Sequence, residues 1–256
     1  MQNTIDDRLQ YHPDPEDVLS SAFLNRSLRR VDRRKAAIME SVELQGKTLL
    51  DLGCSGGYFG FSLAATVKSY HGIDGDSELI DRNREVCQRR GIGHLSFEHG
   101  QITPDFIRQL PKFDVAFFLS VFHHILAVSE AYDWNEQSEW KPEEILSALA
   151  DKVEVLVFET GYPTEGHEWC ENLPPMLPTP KAWILKLLRT AGFDQVEIIP
   201  SPVHRGMRGR IRAWLGDRFN AQKPNSALLT RLVARTFHLD PRDRRDIFVA
   251  RKRRDA

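Results

Sequence analysis

Lys47-Thr-Leu-Leu-Asp-Leu-Gly-Cys-Ser-Gly-Gly-Tyr-Phe-Gly60 is the stretch that decides the fold. A short apolar run breaks at a Gly-rich turn, then resumes as an apolar-periodic segment carrying Tyr58, Phe59, Phe61, Leu63 and Ala64. A buried strand, a tight loop and a helix start read this way in sequence. Gly53, Gly56 and Gly57 let backbone come close to a ligand, and a helix N-terminus offers free N–H groups. Loops of this shape hold nucleotide-like cofactors in doubly wound folds.

The details select among such cofactors. The dinucleotide fingerprint G-x-G-x-x-G fails, because Ser55 stands at its middle glycine and Tyr58 at its last. A phosphate loop fails too, because no Lys follows the glycines. The stretch resembles the first motif of class I S-adenosylmethionine-dependent methyltransferases: apolar strand, acid, apolar residue, glycine, then a loop ending in glycine. Asp51, Leu52, Gly53 and Gly57 occupy those places, and Ser55 departs at the often-glycine middle position. The resemblance implies S-adenosyl-L-methionine as cofactor, held by Asp51, Gly53, Cys54, Ser55, Gly57 and Tyr58. A carboxylate suits a cofactor that carries an ammonium and a sulfonium but no phosphate.

The next segments extend the resemblance. Val67-Lys-Ser-Tyr-His-Gly-Ile-Asp74 reads as a second strand ending in an acid. In this fold such an acid accepts from both ribose hydroxyls, and a carboxylate is a bidentate acceptor. Asp74 takes that place, with Gly75 beside it, while Asp76 is expected to cap a helix over 77–90. A third strand over 94–100 is followed by Gln101, where related methyltransferases often carry an Asp that accepts from the adenine amino group. Ile102 then lies either against the adenine or in the core.

A fourth strand, 113–120, is nearly all apolar, as a doubly covered parallel strand should be. It leads into Val121-Phe-His-His-Ile125, which resembles a segment of many small-molecule methyltransferases. The likeness implies Ser120 in the cofactor site and His123 and His124 as base or acceptor-orienting groups. Histidine titrates near neutrality, at about 6.5 unperturbed, which suits removal of an acceptor proton.

The whole chain then reads as α/β, a doubly wound seven-stranded mostly parallel sheet whose last strand is antiparallel. Further strands are expected over 152–159, 194–199 and 246–250, with helices over 142–150 and 181–191. Residues 1–45 form an N-terminal helical segment and 46–256 the cofactor-binding domain. The helix expected over 16–42 has a basic face of Arg26, Arg29, Arg30, Arg33, Arg34 and Lys35. That face is either solvated, or one arginine covers the cofactor carboxylate or an anionic substrate. The aromatic-rich loops 126–140 and 161–180 suit a substrate lining.

Residues 201–244 form a basic insertion, expected to be helical and to act as a lid, with ten Arg and Lys against three Asp, a local excess of roughly +7. Within it Ile211, Trp214, Leu215 and Phe219 fall at helical spacing.

The chain has 256 residues, 35 Lys and Arg against 36 Asp and Glu, and three scattered cysteines. That composition is globular, and neither the histidines nor the cysteines show metal-binding spacing, so no metal is expected. No apolar run approaches the roughly 20 residues of a spanning helix, so no integral membrane segment is expected and the placement is cytoplasmic. The leading function is transfer of a methyl group to an O or N atom of a small-molecule acceptor, metabolite or glycan. A second reading is RNA methylation, because 119–124 and Phe158-Glu-Thr160 look distantly like enzymes of the tRNA wobble uridine. A third is a non-catalytic protein docking anionic lipid through 208–219. Oligomeric state is left open.

Overall fold

The computed structural model describes residues 18, 26–126, 142–162, 173, 176–199 and 245–252. The basic segment 201–244, the loop 127–140 and residues 1–17 lie outside the described residues, and with them the expected lid and lipid-docking stripe.

The elements are α1 (Arg26–Ser41), β1 (Thr48–Leu52), α2 (Tyr58–Leu63), β2 (Ser69–Asp74), α3 (Ser77–Arg90), β3 (Leu95–His99) and α4 (Pro104–Gln109). They continue with β4 (Phe113–Leu119), α5 (Phe122–Leu126), α6 (Pro142–Ala150), β5 (Val153–Glu159), α7 (Pro180–Thr190), β6 (Gln195–Ile199) and β7 (Ile247–Arg251). One seven-stranded sheet has the order β3-β2-β1-β4-β5-β7-β6. β1 runs parallel to both β2 and β4, and β6 and β7 pair antiparallel. Strand order reverses between β1 and β4, and ligands of open α/β sheets bind beyond the strand ends at such a reversal.

Local chemistry explains the boundaries. β1 is buried at four of its five positions, as a strand covered on both faces must be. The Asp76 carboxylate caps α3 by accepting the Glu78 and Leu79 amides at 3.0 and 3.2 Å. At its other end α3 stops on Gly91 in the left-handed conformation. Thr103 and Thr179 cap α4 and α7 in the same manner, each followed by a proline at the first helical position. α4 has only six residues, too few for its periodicity to stand out in the sequence.

Two compact units divide the chain: Met1–Phe118 with Asp151–Val155, and Leu119–Ala150 with Leu156–Ala256. In the first, the core gathers Leu49, Leu50, Leu52, Tyr70, Ile73 and Phe117. A three-bond knot joins its strands: the Thr48 amide and hydroxyl both donate to Asp114 Oδ2, and the Asp114 amide donates back to Thr48 Oγ1. In the second unit Leu156, Phe158, Ile184, Leu188, Phe193 and Phe248 are buried.

Candidate functional site

The Gly-rich loop belongs to the first unit. Beyond β1, the Gly53 and Cys54 amides both donate to the Ile73 carbonyl, at 2.8 and 3.0 Å, and stitch the turn to β2. Ser55 adopts a φ of 51°, the left-handed region that residues with a Cβ seldom enter. Two distant side chains grip it. Asp74 Oδ2 accepts the Ser55 N–H at 2.7 Å, and Asn83 Nδ2 donates to the Ser55 carbonyl at 2.9 Å. Gly57 has φ 73°, and a Cβ there would lie 2.7 Å from Phe61 and 3.0 Å from Phe97. Conformation and space both demand glycine at that place.

The two carboxylates read from the sequence flank this turn. Asp74 Oδ1 accepts the Asp76 amide at 3.0 Å, so each of its oxygens carries one backbone N–H and retains capacity for a further donor. Asp51 is 3% exposed and accepts the Tyr70 hydroxyl at 2.7 Å. Burial pushes its carboxyl up to about 7. The Tyr70 bond and the Arg34 guanidinium oppose that rise, and the Asp74 charge adds to it. A carboxyl held so far up is one that a cation would ionise, and an ammonium or sulfonium supplies that charge. These groups fit an adenosyl sulfonium: a carboxylate with capacity left on both oxygens, a second carboxyl near it, and close backbone.

α1 is attached to the same loop. The Tyr58 hydroxyl donates to Asp32, which also pairs with Lys35 at 3.6 Å, and the Lys35 ammonium lies 5.5 Å from the Tyr58 ring centre. Burial and the neighbouring Asp32 push the Tyr58 phenol up, so it remains a donor. The Arg34 guanidinium acts on both Asp51 and Tyr58, opposing each rise.

The chain after β3 meets the same corner. The Gly100 amide donates to the Asp74 carbonyl at 3.0 Å, and His99 Nε2 lies 3.1 Å from the Gly75 carbonyl oxygen. Gln101 is exposed and Ile102 is 1% exposed, packed as a core residue.

Ser120, His123 and His124 belong to the second unit. Ser120 has φ 62°, and its hydroxyl donates to Glu159 Oε1 at 2.6 Å. Arg245 lies 3.8 Å from the same oxygen, and both charged side chains are buried. His123 is buried, and its Nδ1 accepts the Gly161 N–H at 3.0 Å. That bond fixes the neutral tautomer with the proton on Nε2. The His124 ring centre is 4.2 Å from that of His123. The Thr160 hydroxyl is buried with no hydrogen-bond partner among the described residues.

Asn83, Glu159 and Arg245 are absent from the candidate residues that sequence reading supplies. Asn83 had a signal: it shares the buried face of α3 with Ile80, Val86 and Cys87, where an amide is out of place. Glu159 ends β5, and the rule that ligands gather beyond carboxyl ends of strands points to it. Arg245 lies among many arginines and carried no local mark.

The family model described as a methyltransferase domain matches residues 43–191, more than half of the chain. An O-antigen chain terminator bifunctional methyltransferase/kinase, WbdD of Escherichia coli, is 31% identical over 128 residues, 49% of this chain and 17% of that protein. A tRNA U34 carboxymethyltransferase of Pseudomonas fluorescens is 28% identical over 182 residues, 66% of this chain and 52% of that protein. The chain thus matches only a part of the length of these relatives. A WbdD crystal structure superposes with a TM-score of 0.55 at 20% identity, covering 98% of this chain and 47% of that one, a likeness of fold.

This chain belongs to the methyltransferase domain family, in the class I, S-adenosylmethionine-dependent group with a Rossmann-like fold. It carries a methyltransferase domain over residues 43–191. Among the described residues no helix is long and apolar enough to cross a membrane, and no three His, Cys, Asp or Glu side chains group to hold a metal ion.

Proposed function

We propose that this enzyme methylates an O or N atom of a small polar acceptor, of metabolite or glycan type, using S-adenosyl-L-methionine. The observation that carries the cofactor assignment is the left-handed turn at Ser55, flanked by Asp74, with capacity left on both its oxygens, and by the buried Asp51. Asp74 takes the ribose hydroxyls and Asp51 the ammonium side. Arg34, the α1 arginine that acts on Asp51 and Tyr58, takes the α-carboxylate. Backbone at Gly53, Cys54 and Gly57 lines the approach, with Gly75 and Gln101 on the adenine side.

Bound there, the sulfonium supplies a methyl group that is already electrophilic. The chain's own work is to hold the acceptor in line, and positioning of this kind can lower a barrier by about 7–11 kcal/mol. An acceptor hydroxyl must also lose its proton. The Nδ1 lone pair of His123 is occupied by the Gly161 N–H, so His123 orients the acceptor rather than taking its proton. His124 is the base. A glycan-type acceptor is supported by the E. coli relative, named for terminating an O-antigen chain.

A second reading, RNA as acceptor, is favoured by the tRNA U34 carboxymethyltransferase relative, which aligns over 66% of this chain. One experiment separates the two. Purified enzyme is incubated with methyl-labelled cofactor and a cell extract, and the products are split into RNA and small-molecule fractions. Label in the small-molecule fraction is expected. Label that ribonuclease releases, with transfer falling steeply as salt rises, would establish the RNA reading instead. No labelled product in either fraction would sink both.

A further inference from the structure

We propose that Asn83 is the positioning residue of the cofactor loop, holding Ser55 in the left-handed turn that aims its amide at Asp74. The inference rests on the reading that this loop seats the adenosyl cofactor. It begins from a residue in the wrong surroundings: Asn83 is fully buried on the apolar face of α3, between Ile80 and Val86. Its Nδ2 donates to the Ser55 carbonyl at 2.9 Å, while its Oδ1 is buried with no hydrogen-bond partner among the described residues. A leucine would pack there without leaving an acceptor stranded, so the donor is what the site requires.

Ser55 explains the requirement. Glycine enters the left-handed region freely, but a residue with a Cβ does not, and Ser55 stands there at φ 51°. Restraint must come from outside the loop, and it comes on both sides of the residue: Asp74 at the N–H and Asn83 at the carbonyl. The bond to Ser55 also fixes the rotation of the Asp74 carboxylate, so the capacity left on its oxygens points in one direction. Release of the carbonyl lets Ser55 relax and withdraws its amide from Asp74 Oδ2, leaving the Asp76 amide on Oδ1 as the carboxylate's remaining tether among the described residues. Asn83 touches no cofactor atom in this account. It acts through Ser55.

Calorimetric titration with S-adenosyl-L-homocysteine tests this, using wild type, Asn83→Leu, Asn83→Ala, Ser55→Gly, and Ser55→Gly combined with Asn83→Leu. Asn83→Leu keeps the branched outline of the side chain, at some cost in added bulk, and removes the stranded acceptor, so its Tm is expected to stay near that of wild type. Its affinity should nevertheless fall about tenfold, as should that of Asn83→Ala. Ser55→Gly sets its own reference affinity, and in that background Asn83→Leu should cost less than about twofold, because glycine takes the turn unaided. Equal binding by wild type and Asn83→Leu overturns the proposal. So does a tenfold loss that Ser55→Gly fails to rescue, which marks Asn83 as part of the packing alone. Failure of wild type to bind overturns the cofactor reading itself, and the proposal with it.

Discussion

Ser120 is tied to Glu159 twice: its amide donates to the Glu159 carbonyl at 3.0 Å, and its hydroxyl to the carboxylate at 2.6 Å. The double tether holds Ser120 in its left-handed conformation, and it presents the Glu159 carboxylate to Arg245. Removing the acid deprives the buried guanidinium of this carboxylate. Glu159→Ala is expected to destabilise the fold by about 3 kcal/mol, as broken buried pairs do. For a chain of this size that corresponds to a Tm lower by roughly 6–12 °C in a thermal melt. Ser120→Gly loses one bond but relieves the backbone, and its Tm should stay within about 3 °C of wild type.

Asp74 and Asp76 both cap backbone amides, yet only Asp74 is assigned to the cofactor. Asp74→Ala should weaken S-adenosyl-L-homocysteine binding about 100-fold, the loss of two bonds to a charged acceptor. Asp76→Ala should lower stability by about 1 kcal/mol through the lost α3 cap and leave affinity near that of wild type. Calorimetry and thermal melts on the two variants separate the roles. Comparable affinity losses in both would remove Asp74 from the site.

With Asp51 on the cofactor's ammonium side, as proposed, cofactor binding should depend on pH. An unfolded Asp ionises near 3.9, whereas the folded group holds its proton to about 7. Between those values the folded state carries the extra proton, so this group's contribution to stability falls as pH rises. A bound cation favours the ionised form, so binding expels the proton below pH 7. Affinity should rise with pH up to about 7 and then level off. At pH 6.5 the cofactor's own amino group is already protonated, and about 0.7 proton should be released from the protein. Titrations in buffers of different ionisation enthalpy count it. Asp51→Asn should release none, and an unchanged count in that variant would exclude Asp51 as the source.

His124→Ala should lower kcat by about 10²–10³-fold with cofactor affinity intact, the usual loss when a positioned base is removed. Added imidazole should restore part of the rate. His123→Leu removes the acceptor of the Gly161 amide, and it should raise the acceptor KM as well as lower kcat. A His124→Ala enzyme with unaltered kcat would move the proton-accepting role elsewhere.

The Gly-rich turn and the two acids that flank it were legible because their spacing is local. Asp51, Gly53, Gly57 and Asp74 lie at fixed offsets around one turn, and Asp76 capped the expected helix. Strand boundaries came within about two residues, because continuous apolar runs mark doubly covered strands. The contacts that join remote positions were not legible. Nothing in the sequence couples Asn83 to Ser55, or Arg245 to Glu159, since each pairing exists only once the sheet has formed. The conformation of Ser55 was hidden for the same reason: its φ is imposed by side chains from β2 and α3. Arg34 was one of six basic residues in a single run, and only its nearness to Asp51 and Tyr58 sets it apart.

Cys54 lies inside this turn, and burial pushes its thiol well above the usual range. Oxidants and alkylating reagents attack the thiolate, a form this sulfur scarcely visits at neutral pH. The Gly-rich turn thus carries a sulfur held as the thiol and packed out of reach, so a thiol-modifying reagent should label an exposed cysteine well before this one.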